Sequence, residues 1–321
     1  MEDYPKTLLE FERRFDSDEA CREYLVALRW PEGFRCPRCG HERSWLNSRG
    51  LSECAVCHRQ TSVTAGTMLQ DTRQPLMLWF RAMWYVTSQK TGVSALGLQR
   101  VLGLGSYETA WVWLHKLRRA MVRPGRDRLQ GTVEVDETYW GGERPGKRGR
   151  GAAGKSLVVV AAEEDGAGIG RIRLMRVADH SGHSLQAAVE ACVAPGSLVH
   201  TDALSSYNGL SALGYRHGVI RQGGAQVGED PLPRVHRIVA LLKRWMLGTH
   251  QGAIQPSHLD YYLDEFTFRF NRRASRSRGK LFYRLAQQAM TVDPLPLHRI
   301  RGGTMRQPEH QAQDQSDRPH E

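Results

Sequence analysis

The residues best placed to do chemistry fall in two groups, paired thiols near the start and carboxylates on a strand further along. Cys36, Cys39, Cys54 and Cys57 form two Cys-x-x-Cys pairs in FRCPRCGHERSWLNSRGLSECAVCHRQ. Each pair makes a tight knuckle that aims two thiolates at one point. Two facing knuckles give a closed tetrahedral S4 site, the pattern of a zinc ribbon, and with all four positions filled the zinc would be structural. In a reducing compartment such pairs point to metal and not to disulfides. His41 and His58 stand beside the knuckles and are read as surface residues, and the isolated Cys21 and Cys192 as small apolar side chains.

The second group is VEVDETYWGGE, Val133 to Glu143. Its alternation predicts a strand with Val133, Val135 and Glu137 on one face and Glu134, Asp136 and Thr138 on the other. A carboxylate buried on a central strand needs a positive partner, either an arginine or a metal ion. Asp202, in LVHTDALSSY, is a second acid at a predicted strand end, with helix N-capping as its alternative role.

The elements that must position these acids follow from the pattern. Strands are predicted at 132–140, 157–163, 170–177, 197–201 and 215–220. Helices are predicted over Ser184–Cys192, with Ser184 as cap, over Ser205–Leu213 and over Leu232–Leu247. Three antiparallel strands followed by helix-linked strands match a ribonuclease-H-like α/β core, in which the first strand lies beside the end of the fourth. That topology would bring Asp136 and Asp202 together as ligands of two Mg2+ or Mn2+ ions.

Between the cysteines and the strands, Pro75 opens a helix to Gln89, and Ser94 caps another to Leu102. A glycine turn, GLGS, then leads into a helix after Ser106. Two helices around a short turn suggest a helix-turn-helix, with Tyr107 and Thr109 at the base-contacting end and Lys116, Arg118 and Arg119 at the basic end. GRGAAGKS fits the phosphate-loop pattern, but the strand signal SLVVVAAEE follows it where a helix would be needed, so no nucleotide site is expected. The segment reads instead as a basic hairpin loop, with Lys147, Arg148 and Arg150 able to lie along DNA. Arg272 and Arg273, in FTFRFNRRASRSRGK, are further phosphate-contact candidates, and its phenylalanines are read as core. His180 and His183 of DHSGH are assigned to a loop.

The chain has 321 residues, of which 40% are hydrophobic and 25% charged, and a formal net charge of +11. That balance favours a polyanionic partner. No signal-peptide pattern opens the sequence, and PLMLWFRAMWYVTS is too short to span a bilayer, so a cytoplasmic, nucleoid-associated protein is expected.

VEVDETYWGG, HTDALSSYNGLSALGYRHGV and HRIVALLKRWMLGTHQGAIQPSHLDYYLDEFTFRFNRR together resemble the bacterial insertion-sequence transposases with an N-terminal zinc ribbon, the ISXO-like group. The resemblance runs from about residue 15 to residue 290. It implies an acidic triad on a ribonuclease-H-like core that binds two divalent ions and transfers DNA strands. The first two acids fall on Asp136 and Asp202. The third position, usually Glu or Asn, lies seven residues before a lysine; the lysine is Lys243 and the position is His236. His236 departs from an acidic triad and favours Mn2+ over Mg2+. Lys243 would contact a transposon-end phosphate, with Arg244 beside it. The expected organisation is α+β and multidomain: helix and zinc ribbon in 1–65, helix-turn-helix in 70–126, catalytic core in 130–290 and a disordered tail in 300–321. The expected partners are double-stranded DNA, as transposon ends and target, and further copies of the chain in a homodimer or larger assembly. A nuclease on the same fold, or a non-catalytic DNA-binding protein with a decayed core, are the alternatives.

Overall fold

The structure is a computed structural model that describes residues 2–123, 125–141, 155–221 and 230–302. The chain forms two compact units, one built on Met1–Arg123 with Ala274–Arg301, the other on Pro124–Arg273.

In the first unit, α1 (Leu8–Arg14) and α2 (Asp18–Arg29) are capped by Thr7 and Ser17, whose hydroxyls accept from the backbone N–H of Glu10 and Ala20. Three short strands follow, β1 (Ser44–Leu46), β2 (Ser52–Cys54) and β3 (Gln60–Thr61), in one antiparallel sheet. Then come α3 (Leu76–Ser88), α4 (Ala95–Leu102) and α5 (Tyr107–Ala120). As the sequence predicts, Ser94 and Ser106 cap α4 and α5. Gly103, at φ +63°, ends α4 in the left-handed region that glycine enters without strain. The start of α3 is capped from far away: Asp18 accepts from the backbone N–H of Leu76 at 3.2 Å and Met77 at 3.0 Å.

The second unit holds a five-stranded mixed sheet. Its strands are β4 (Thr132–Trp140), β5 (Ser156–Asp165), β6 (Gly168–Val177), β7 (Leu198–Thr201) and β8 (Arg216–Val219), in the order β6-β5-β4-β7-β8. β4 and β6 pair antiparallel to β5, whereas β7 runs parallel to both β4 and β8. On one face of the sheet lie α6 (Gly182–Cys192) and the 3-10 turn Ser205–Leu213, enclosing Val133, Val135, Val159, Leu185, Val189 and Tyr207. On the other lie α7 (Pro233–His250) and α8 (Leu259–Asn271), enclosing Val158, Val160, Ile172, Ile238, Leu242 and Phe266. The three consecutive valines of β5 thus serve both cores.

One expectation needs correction. α6 starts at Gly182 with Ser181 as its cap, because the Ser181 hydroxyl accepts from the Ser184 N–H, so Ser184 is inside the helix. The FTFRF run alternates like a strand but is helical in α8, where Phe266 and Phe270 stack at 6.1 Å as i,i+4 neighbours. From its end, Asn271 accepts from the Ile172 N–H at 2.7 Å and donates to the Ile172 carbonyl at 3.1 Å. Those bonds occupy backbone groups of the edge strand β6 that would otherwise lie open.

The chain then returns to the first unit with α9 (Arg278–Ala289), and α10 (Leu297–Gly302) follows. Phe282 of α9 meets Phe11 at 5.3 Å and Phe80 at 5.6 Å between ring centroids. Among the described residues no helix is long and apolar enough to cross a membrane.

Candidate metal centres and nucleic-acid surfaces

The four ribbon cysteines are brought together. Their sulfurs lie within 4.8 Å of one another, with Cys36 and Cys57 at 3.5 Å and Cys39 and Cys54 at 3.6 Å. A tetrahedral ion with metal–sulfur bonds of about 2.3 Å would separate its sulfurs by about 3.8 Å, so the donor set fits zinc. Local geometry lowers two of the thiols, whereas at Cys39 the His41 N–H is outweighed by the neighbouring sulfurs and burial, which push the thiol up to about 12. The Cys57 and Val56 N–H groups hold the Cys54 thiol below its usual range against the effect of burial. For Cys36 burial acts upward, but the Cys39 and Arg38 N–H groups outweigh it and bring the thiol to about 6. His58 faces Glu53 at 3.5 Å, outside the cluster.

The carboxylates of β4 meet different partners on its two faces. Glu134 is 2% exposed. It accepts from the backbone N–H of Arg234 at 2.8 Å and Val235 at 3.0 Å, and from the Arg234 guanidinium at 2.8 Å. Its positive partner is therefore an arginine together with the amino end of α7. The same guanidinium reaches Glu164 at 3.0 Å and the Gly168 carbonyl at 3.0 Å, joining α7 to β4, β5 and β6.

Asp136, two residues along on the same face, has no arginine among its described partners. Oδ2 lies 3.3 Å from Nε2 of His236, one turn into α7. Nδ1 of His236 is hydrogen-bonded in turn to Asp230. Burial raises the Asp136 carboxyl above its usual range, and the charge of Asp202 raises it further, against the pull of its own neighbour's N–H and of His236. Asp202 follows the end of β7, where Oδ1 accepts from the Leu204 N–H at 3.0 Å. Asp136 of β4 thus meets His236 of α7, a hundred residues on in sequence, with the charge of Asp202 from the end of β7 acting on it. Their donor chemistry, two carboxylates and an imidazole, suits a divalent ion such as Mn2+ or Mg2+. Among the described residues only the four cysteines already form a compact ligand group of three or more.

Lys243 and Arg244 are exposed on α7. Lys243 lies two turns beyond His236, about 10 Å along the axis. In α5, Tyr107 is 54% exposed at the first position and Thr109 is half-buried. Lys116 and Arg119 are half-buried, and burial lowers the Lys116 ammonium below its usual range. Arg118 is 2% exposed, inside the helical unit and withdrawn from any DNA surface. Arg272 stacks 4.2 Å over Phe268, and Arg273 donates to the Ile169 and Gly170 carbonyls. Lys147, Arg148 and Arg150, with the rest of the expected hairpin loop, lie outside the described residues.

The pairing of Glu134 with Arg234 is not legible in the sequence, whose one signal is an acid standing where a strand buried on both faces would carry valine.

Comparison with known families agrees with this layout. Residues 16–60 match the transposase zinc-ribbon domain of the IS1595 type, and residues 128–271 match the ISXO2-like transposase domain. The chain belongs to the IS1595-type transposases. No curated protein matches it in sequence. A chain of the simian T-cell lymphotropic virus intasome, solved by electron cryomicroscopy with PP2A regulatory subunit B56 gamma, aligns over 68% of this chain and 74% of its own. Its identity is 15% and its TM-score 0.32. At that score the likeness defines neither fold nor function here.

Proposed function

We propose that this protein is an active DNA transposase whose catalytic centre is Asp136, Asp202 and His236 on a ribonuclease-H-like core. The observation that carries the reading is the contact of Asp136 with His236 at 3.3 Å beside the charge of Asp202, within the matched transposase domain. Two divalent ions held there would supply Lewis-acid polarisation of the scissile phosphate and an activated attacking oxygen. Asp136 and Asp202 would provide oxygen ligands and His236 a nitrogen ligand. Asp230, by accepting from Nδ1–H of His236, would leave the Nε2 lone pair free to bind metal. Lys243 and Arg244 would hold an end phosphate along α7.

The zinc ribbon and the α4–α5 pair, read as a helix-turn-helix, would recognise terminal inverted repeats, with Tyr107 and Thr109 at the groove-facing end. Arg118 is left out of that surface because it is buried. The net charge of +11 supports DNA as the partner. Two or more copies would act together on paired ends in the cytoplasm.

The test is cleavage and joining of DNA carrying the element's terminal repeats. Asp136→Asn and Asp202→Asn should each lower cleavage by at least about a thousandfold, ~4 kcal/mol in the barrier, while end binding persists. Near-normal cutting by either variant would overturn the assignment. A wild-type protein that binds ends but cuts in neither Mn2+ nor Mg2+ would favour the non-catalytic alternative.

A further inference from the structure

On the face of β4 opposite to Asp136, the alternation that places Val133 and Val135 in the core places Glu137 there too. A carboxylate in that position is unfavourable unless a donor meets it. Its side chain is 6% exposed, and Oε2 accepts from the Tyr207 hydroxyl at 3.0 Å. Tyr207 is itself 0% exposed. Burial, followed by the nearby Glu137 charge, raises its phenol far above the usual range, so the phenol stays protonated and is the donor. His180 closes the pocket, with Nε2 3.9 Å from Glu137 Oε1 and 3.2 Å from the Tyr139 hydroxyl.

Position in the sheet suggests why this bond exists. The pairing of β4 with β7 runs Thr132 with Leu198, Val133 with Val199 and Glu134 with His200, and stops there. Continued by two residues, the register would set Asp202 opposite Asp136. The sheet therefore ceases to tie the two strands just before Asp136 and Asp202.

Residue 137 spans that gap. Its backbone N–H donates to Asp136 Oδ1 at 2.8 Å, and its side chain holds Tyr207. Tyr207 lies in the first turn of the 3-10 segment that follows Asp202. Asp202 accepts from the Leu204 N–H at 3.0 Å, and the Tyr207 N–H donates to the Leu204 carbonyl at 3.1 Å. We propose that the Tyr207–Glu137 hydrogen bond is a positioning strut that sets the spacing of Asp136 and Asp202 for divalent-metal binding. This rests on the reading of Asp136 and Asp202 as the metal carboxylates.

The experiment is Mn2+ titration of the full-length protein, with free Mn2+ read by electron paramagnetic resonance and folding checked by thermal melting. Tyr207→Phe, which keeps the ring and removes the donor, should weaken Mn2+ binding by tenfold or more, as loss of an outer partner does at other metal sites. Glu137→Gln keeps a carbonyl acceptor for the phenol and should retain most of the affinity. Glu137→Val, which restores the core alternation, should lose it even if it melts higher. Should Tyr207→Phe fail to fold, the pair at Glu137 carries the test. Wild-type affinity in both Tyr207→Phe and Glu137→Val, with binding abolished in Asp136→Asn, overturns the strut while the metal site stands. A wild-type protein that binds no Mn2+ overturns the metal site, and the strut with it.

Discussion

The zinc ribbon and the proposed acidic centre bring their side chains together in two different ways. The ribbon draws four thiols from one short segment, and their sulfurs already lie within 4.8 Å of one another. The acidic centre draws its groups from β4, the end of β7 and the first turn of α7, and remains looser. In the ribbon, backbone N–H groups lower one thiol of each knuckle, Cys36 and Cys54. In the core, a half-buried carboxylate stands near a second negative charge, so its ionised form is disfavoured. A site built by local chain geometry can be ready before the fold is complete. A site built by topology inherits every tolerance of the sheet and helices that carry it.

The largest effect that would break this comparison is zinc removal. Chelation, or Cys54→Ser, should eliminate the one zinc per chain and unfold the ribbon, since structural zinc contributes about 10 kcal/mol or more to such folds. The melting transition of the second unit should stay in place. Zinc content unchanged in Cys54→Ser, or loss of both transitions together, would show that the ribbon is not a local assembly.

A smaller effect is expected where α7 joins the sheet. Arg234→Ala leaves Glu134 buried with only backbone donors and should destabilise the second unit by about 3 kcal/mol in denaturant unfolding. A change below about 0.5 kcal/mol, the range of ordinary surface substitutions, would mean that the packing of α7 alone fixes His236 over Asp136.

His236→Glu sharpens the comparison at the metal itself. A carboxylate in place of imidazole should move the preference several-fold from Mn2+ towards Mg2+, measured as the ratio of cleavage rates in the two ions. An unchanged ratio would remove His236 from the ligand set, with Asp230 the next candidate.

The smallest effect is in the metal-free protein. The Asp136 carboxyl is raised in the fold, so the folded state favours its protonated form. That favourable contribution is fully present below the unfolded carboxylate range and is lost as pH rises through the raised value. At pH 7 the ionised group is therefore a net penalty. Asp136→Asn should raise the melting temperature of the metal-free protein by a few degrees at pH 7 and by little in acid. No rise at pH 7 would mean that His236 and the Glu137 N–H already compensate the charge.

Local pattern alone determined a good deal about this protein. The Cys-x-x-Cys spacing defines the zinc ligands because a knuckle is made within a few residues. Alternation in VEVDETYW places β4 from Thr132 to Trp140, and serine before an apolar run caps α4 and α5, because period and capping are properties of neighbouring residues. Only the tertiary structure decided which carboxylate does what. Glu134, Asp136 and Glu137 are three carboxylates in three surroundings: the amino end of α7 with Arg234, His236 with Asp202 nearby, and Tyr207 in an apolar core. It also decided that Asp18 caps a helix 58 residues away and that Arg118 points inward. The helical path of FTFRFN and the return of the chain to its first unit after Arg273 were settled there too. Each of these depends on groups far apart in the chain meeting where water is excluded. The strength of a charge or hydrogen bond is set by those surroundings and not by the residues on either side.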